Sequence, residues 1–443
     1  MRITDDFFEF ENSQRLYDII DKRGLRIWEA IRYRVGTQLI QSNTVGAINN
    51  NTIHKSLFFT IKRIVKFFVY FLSHRRKRYL FIVDSRTIIN GELYDIISDS
   101  IIGLAGKDNS FIMETSFNWD KKEYKYKKVC PSITTLLLRI NRRKHDFSRI
   151  LNLLEEKYDK NSFDVDEWNY SYNLFISQYL FYRWFLRLCN FEKIFFVQNG
   201  IFKGVIAAAK ERGVKIYELQ HGQISKNHLA YSYPRCFENS EDCFYNPNYL
   251  LTLGPIWLKD ATFPFVKVIS IGNNYYAKEI DKGKNGLNSL LVVSSVIHSD
   301  VLMPLIKKIS RIKKEYHFYY KLHPDEFNEF KKYRDYFIEE TNVQVVKNEQ
   351  TINGLLSKVD AVLVVQSTVM VEALNAGRRV FVYKVLDYDV MDFLFEDPGI
   401  SFFEDETSFI EKYSASCNCE LPSGNYFVKF DNNICLQLLD NKI

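Results

Sequence analysis

The sequence predicts an α/β protein of two Rossmann-like, doubly wound domains facing a cleft, with a helical N-terminal extension and a helical insertion in the first domain. Three observations predict it. Short apolar runs such as Tyr79–Val83 and Asp360–Val365 alternate with helical patterns, as strands covered on both faces do. The alternation occurs in both halves and implies parallel βαβ units. A length of 443 residues also exceeds one ordinary core.

The C-terminal half is the clearer one. Ser289–Ser295, Tyr316–Leu322, Val343–Val346, Asp360–Val365 and Arg379–Tyr383 read as strands, with helices over Asp300–Lys313, Asp325–Ile338, Thr351–Lys358 and Val369–Asn375 between them. Ala376-Gly377 stops the last of these helices. In the first half, Tyr79–Val83, Lys193–Val197, Val214–Leu219, Leu250–Leu253 and Val266–Ile271 read as strands, and Phe202–Arg212 as a helix capped by Gly213. The charged stretch between Asp84 and Lys193 is mainly helical, and its order is not legible. Ala277–Asn288 is polar and contains glycine, so the expected organisation is a domain at 1–276, a linker at 277–288 and a domain at 289–443. The last helix is expected to pack back on the first domain.

Composition narrows the function classes. Hydrophobic residues at 46% supply two packed interiors. Sixty basic against 54 acidic residues leave a net charge of +6, too small to call for nucleic acid, and none is expected as a partner. Seven cysteines, scattered and odd in number, imply reduced thiols and a cytoplasmic location. Cys417-Asn-Cys419 lacks a second ligand pair, and no metal is expected. The opening MRITDDFFEFENSQ carries acids where an export signal needs bases, and no apolar run is long enough to span a bilayer. The segment Leu57–Ser73, followed by the basic run His74–Arg78, has two readings. It is a helix packed on the first domain, or an amphipathic helix through which 57–78 meets the inner leaflet of a membrane, making the protein peripheral there.

In doubly wound sheets, ligands bind beyond the C-terminal ends of the strands. That rule selects Ser294, Ser295 and His298, then His323-Pro324, then Gln366, Ser367 and Thr368 in the second half. In the first half it selects Asp84, Asn199, Gly200, Gln220, His221 and Gly222. Pro324 suits a first helical position, which leaves His323 to donate to a phosphate oxygen and Lys321 to add charge nearby. Ser367 and Thr368 open the next helix, where amides and hydroxyls bind phosphate. Glu372 stands about one and a half turns on and is a candidate for ribose hydroxyls, with a helix-surface ion pair as the alternative. His221 is the first candidate for a general base toward an acceptor hydroxyl, followed by Glu218 and Asp84, and Gly222 permits close backbone approach of a ligand. Asp164-Val-Asp166 imitates an acidic metal motif but follows no strand, so it is expected to be a loop or helix cap. No G-x-G-x-x-G or Walker sequence is present.

On several stretches the chain resembles bacterial capsule and O-antigen glycosyltransferases of GT-B fold. These are Gly24-Leu-Arg-Ile-Trp-Glu-Ala-Ile-Arg32, Tyr79–Asp84, Glu218-Leu-Gln-His-Gly222 with His228 and Tyr231, Leu251-Thr-Leu-Gly254, Lys321-Leu-His-Pro324 and Ser367-Thr-Val-Met-Val-Glu372. The HP pair and Ser-Thr helix start are similar to those of bacterial sialyltransferases and Kdo transferases, although the acidic motif of many sialyltransferases is missing. The resemblance implies metal-independent transfer from a nucleotide-sugar, CMP- or UDP-linked, to a lipid-linked or polysaccharide acceptor, with His323, Ser367 and Thr368 on the donor phosphate. The nucleotide-sugar is a co-substrate, and no cofactor is implied. A CDP-glycerol-type polyol-phosphate transferase, a nucleotide-sugar epimerase of the same fold and a non-catalytic polysaccharide-assembly scaffold stay open.

Overall fold

Runs of four or five apolar residues that must be hidden on both faces build two parallel sheets, one in each half of the chain. The structure is a computed structural model describing residues 3–42, 57–85, 87–89, 92–115, 129, 132–238, 244–258, 261–277, 288–385, 388–416 and 426–442. Most of the expected linker (278–287) and Cys417-Asn-Cys419 lie outside the described residues. The chain divides into two units. One comprises Met1–Thr252, Asp260–Asn273 and Phe430–Ile443, and the other Leu253–Lys259 and Asn274–Lys429.

The first unit opens with helices α1 (Ile3–Ser13), α2 (Ile27–Ser42) and α3 (Leu57–His74). Strand β1 (Tyr79–Val83) is followed by the hairpin β2 (Thr87–Ile89) and β3 (Glu92–Tyr94), α4 (Asp99–Ala105) and β4 (Ser110–Glu114). Helices α5 (Ser132–Ile140), α6 (Ser148–Glu155) and α7 (Val165–Leu188) make up the insertion. Then come β5 (Lys193–Phe196), α8 (Lys203–Glu211), β6 (Lys215–Leu219), β7 (Tyr249–Thr252) and β8 (Lys267–Ser270). The strand order is β4-β1-β5-β6-β7-β8, with every pair parallel. The connections from β1 run first to β4 on one side and later to β5 on the other, so the switch point lies between β1 and β5.

Helix α7 is the spine of this unit. It buries Trp168, Tyr172, Phe175, Phe181 and Phe185, and α3 adds Phe67 to the same aromatic core. Asp164 accepts the amides of Asp166 and Glu167, so the acidic pair is a helix cap.

The second unit runs β9 (Ser289–Val293), α9 (Ser299–Ile312), β10 (His317–Lys321), α10 (Phe330–Tyr336), β11 (Val343–Val346), α11 (Ile352–Leu356), β12 (Ala361–Val364), α12 (Val369–Asn375), β13 (Arg379–Tyr383), β14 (Ile400–Phe403) and α13 (Glu406–Ser416). Its sheet has the order β11-β10-β9-β12-β13-β14, again all parallel, with the switch point between β9 and β12. The single helix expected over 325–338 is instead a 3₁₀ turn, Pro324–Glu329, followed by α10, because Glu326 is drawn inward to a buried cluster. Finally α14 (Asn432–Leu439) belongs to the first unit, where it packs on α4. The Leu439 carbonyl there accepts from Lys193 Nζ at 2.8 Å.

Candidate functional site

In the second unit, the strands on either side of β9 bring the candidate residues to one sheet edge. Lys321 pairs with Val293, and Val292 with Leu363, so Ser294, Leu322-His323 and the residues after Val364 emerge at about the same level. The ends of β10 and β12 are two strand spacings apart, about 10 Å.

His323 caps the 3₁₀ turn with an extended backbone, and its Nδ1 accepts the Asp325 amide at 3.3 Å. A neutral imidazole that accepts at Nδ1 carries its proton on Nε2. The side chain is 47% exposed, with Nδ1 also 3.5 Å from Asp325 Oδ2, and in the tautomer that accepts at Nδ1 the ring's donor is Nε2. Glu326 holds the corner. One of its oxygens, Oε2, accepts from the Ser294 hydroxyl at 2.6 Å and the His323 amide at 3.0 Å. The other, Oε1, accepts from Ser299 and Tyr333, each at 2.5 Å. Sequence reasoning missed Glu326, although His-x-x-Glu is a capping-box pattern.

Two of the expected donor contacts are engaged within the protein. The Lys321 ammonium is nearly buried and donates to the carbonyls of Leu322 and Lys347, tying the ends of β10 and β11 together. Burial lowers its pKa, and its charge points away from the role expected of it. The Ser294 hydroxyl is committed to Glu326, whereas Ser295 shares a 3.1 Å contact with His298 Nδ1. Ser367 Oγ accepts the Val369 amide at 3.2 Å, and Thr368 caps α12 without a side-chain bond.

Glu372, half-buried on α12, has no hydrogen bond or ion pair of its carboxylate among the described residues. Burial pushes its pKa up to about 7, and Tyr275 of the same unit feels its charge. The surface ion pair considered for it is not formed among the described residues, and the carboxyl is half-buried.

In the first unit, Asp84 leaves β1, Gln198-Asn199 leave β5 and Gln220-His221-Gly222 leave β6. The register Ile82–Phe196–Glu218 sets Asp84 level with Gln220, with β5 between them. Gln198 holds a left-handed φ of 68°, which turns the Asn199 amide onto Glu218 Oε1 at 2.8 Å. Tyr231 donates to the same oxygen at 2.7 Å, while Oε2 is buried with no hydrogen-bond partner among the described residues. Burial raises the Glu218 pKa to about 7, with the Tyr231 and Asn199 bonds opposing. Glu218 is thus hydrogen-bonded, with no ion pair among the described residues.

The loop after His221 folds back over this edge. Asn199 Nδ2 donates to the Ala230 carbonyl at 3.0 Å. His228 Nδ1 accepts the Ala230 amide at 3.2 Å, and its ring stacks on Tyr33. Burial, with the charge of nearby His221, depresses the His228 pKa to about 4, which keeps it neutral. A Cβ on Gly222 would meet nothing within 4 Å, so backbone there borders open space. The stretch 24–32 braces the loop from below. Arg32, buried and paired with Glu11 at 2.7 Å, donates to the carbonyls of Leu229 and Ser232, and Glu29 accepts the Tyr245 amide. Sequence reading flagged this stretch without its reason.

Among the described residues, no three or more His, Cys, Asp or Glu side chains are grouped so as to hold a metal ion, and no helix is long and apolar enough to cross a membrane. Cys189, Cys236 and Cys435 are free thiols.

The fold class defined by the two sheets is α/β with two Rossmann-like units. Solved structures similar to the chain include the UDP-GlcNAc 2-epimerase of Methanocaldococcus jannaschii, 10% identical with a TM-score of 0.47, covering 82% of this chain and 99% of that one. The UDP-GlcNAc 2-epimerase of Neisseria meningitidis is 13% identical with a TM-score of 0.47, covering 82% and 100%. The calicheamicin glycosyltransferase is 11% identical with a TM-score of 0.46, covering 77% and 91%. No protein-family model matches the chain, and no curated protein matches it.

Proposed function

We propose that the chain is a GT-B glycosyltransferase moving a sugar from a nucleotide-sugar, CMP- or UDP-linked, to a lipid-linked or polysaccharide acceptor of a growing capsule or O-antigen. The observation that carries the reading is the group at the β9/β12 switch point. His323 stands after β10 with its Nδ1 on the Asp325 amide, Ser367 and Thr368 stand at the start of α12, and the half-buried Glu372 carboxyl has no hydrogen bond or ion pair among the described residues. A diphosphate or phosphodiester suits the first three, and ribose hydroxyls, which donate, suit the fourth. In the first unit, His221 is the proposed general base, with Glu218 and Asp84 as the other acidic or basic groups at that edge. Glu218, sealed against Asn199 and Tyr231, supports the loop behind His221. The leaving phosphate is stabilised by these donors, and the reaction proceeds without a divalent metal.

The test is turnover with a panel of nucleotide-sugars and a polysaccharide acceptor, following both released nucleotide and sugar incorporation. Nucleotide release that depends on the acceptor supports transfer. Interconversion of the nucleotide-sugar without an acceptor would assign an epimerase. Binding without either would leave a scaffold.

A further inference from the structure

Helix α3 is apolar on two opposite sides. One side is buried in the first unit, where Thr60, Phe67, Tyr70 and Phe71 face the core and Phe67 packs on Phe111, Phe181 and Phe185. The other side carries Ile61, Val65, Phe68, Val69 and Leu72, which are 41 to 68% exposed. Their spacing places all five on one stripe facing away from the core. Phe67, Tyr70 and Phe71 form the packed face.

The stripe continues onto α7. Trp184 and Leu188 are exposed beside it, and the Phe68 and Trp184 rings stand 6.3 Å apart. Such a contiguous outward apolar surface marks an interaction site. The charges of the helix segment itself are of one sign. Residues 57–78 contain no Asp or Glu and hold Lys62, Arg63, Lys66, Arg75, Arg76, Lys77 and Arg78. Lys62, Lys66, Arg75 and Arg76 are exposed. Arg78 is paired with Glu192 at 2.7 Å and Lys77 lies 4.0 Å from Asp108, so these two are drawn toward the protein.

We propose that the outer face of α3, with Trp184 and Leu188, lies on the surface of an anionic lipid bilayer. The apolar side chains enter the boundary between headgroups and acyl chains, and the basic rim meets the lipid phosphates. A second copy of this chain fits less well. An isologous pairing would set Lys62 and Lys66 against the same helix of the partner, with no acid in the segment to neutralise them. Helix α3 does not qualify as a membrane span, and its opposite face is already occupied by the core, so it lies in the interface plane. This proposal is independent of which reaction the chain performs.

The test is co-sedimentation of the full chain with phosphatidylcholine vesicles, with and without phosphatidylserine, at low and high salt. The wild type should sediment with the anionic vesicles only, and less at high salt. The variant Lys62→Gln/Arg75→Gln/Arg76→Gln should bind anionic vesicles about 100-fold more weakly, each basic residue contributing about fivefold. The variant Val65→Ser/Val69→Ser/Leu72→Ser should lose binding while keeping the wild-type circular dichroism and melting temperature, since all three side chains already face solvent. Absence of binding to anionic vesicles would overturn the proposal, as would equal binding to neutral ones. A dimer in solution that the serine variant abolishes, without vesicle binding, would assign the face to a second copy instead.

Discussion

At the scale of residues, His323 and Glu326 divide the work of one short corner. Glu326 gathers three hydroxyls and an amide and fixes the backbone, while the His323 side chain accepts the Asp325 amide at Nδ1 and stays half exposed. His323→Ala is expected to keep the fold and weaken nucleotide binding by about 1.5–3 kcal/mol, roughly 10- to 150-fold, measured by calorimetric titration. Unchanged affinity in the folded variant would remove His323 from the site. Glu326→Ala should act on stability instead, because it leaves several buried donors unpaired, at a cost of about 3 kcal/mol or more in chemical denaturation. Glu372 gives a pH signature. Its folded pKa of about 7 lies above the ordinary carboxylate value, so the folded chain holds this proton longer than the unfolded chain. Its contribution to stability therefore falls as pH rises from about 4.5 to 7. Ribose hydroxyls favour the ionised form, so nucleotide binding in that window should release a proton. Titration in buffers of different ionisation heat would detect the release, and Glu372→Gln should reduce it. An identical release in the variant would show that the proton comes from elsewhere. Position at this scale was legible where a residue follows an obvious strand, as His323 and Ser367 do. It was not legible for Lys321, whose ammonium turns to backbone carbonyls through contacts that only the pairing of β10 with β11 creates.

At the scale of elements, legibility followed exposure of the pattern. Strands buried on both faces, such as β1 and β12, announce themselves by unbroken apolarity. Strand β4 is as fully buried, yet its five residues Ser110–Glu114 include a serine and a glutamate, and the sequence left it unassigned. Helix α7 is buried around most of its circumference, so no single stripe gave its orientation. Its close packing on α8 rests on one residue. A Cβ on Gly204 would stand 2.3 Å from the Phe175 carbonyl oxygen and 2.9 Å from the Tyr179 nitrogen, both backbone atoms that cannot swing aside. Gly204→Ala should therefore destabilise the first unit by about 1–3 kcal/mol, despite alanine's better helix propensity, and lower the melting temperature. A neutral or stabilising substitution would show that the two helices separate readily.

At the scale of the whole molecule, two parallel sheets were foreseeable because the strand and helix pattern repeats, but the point of division between the units was not. The sequence places the linker at 277–288, whereas contacts divide the chain at Asn273/Asn274; they group Phe430–Ile443, which carries the helix expected to pack back, with the first unit. Contacts such as Lys193 with the Leu439 carbonyl hold that helix in the first unit. The proposed chemistry stabilises its leaving group with side chains and amides, so excess EDTA should leave most turnover intact. Activity abolished by chelation and restored by Mg²⁺ or Mn²⁺ would contradict that mechanism.

The central claim is that the β9/β12 switch point of the second unit binds a nucleotide. Thermal unfolding in the presence of CMP, CDP, UDP, GDP or dTDP tests it most directly, because a ligand that binds only the folded chain raises the midpoint as its concentration exceeds the dissociation constant. One nucleotide should raise the midpoint in a concentration-dependent way, and His323→Ala should diminish the shift at equal concentration. A midpoint unmoved by every nucleotide, or a shift identical in the folded variant, would contradict the account.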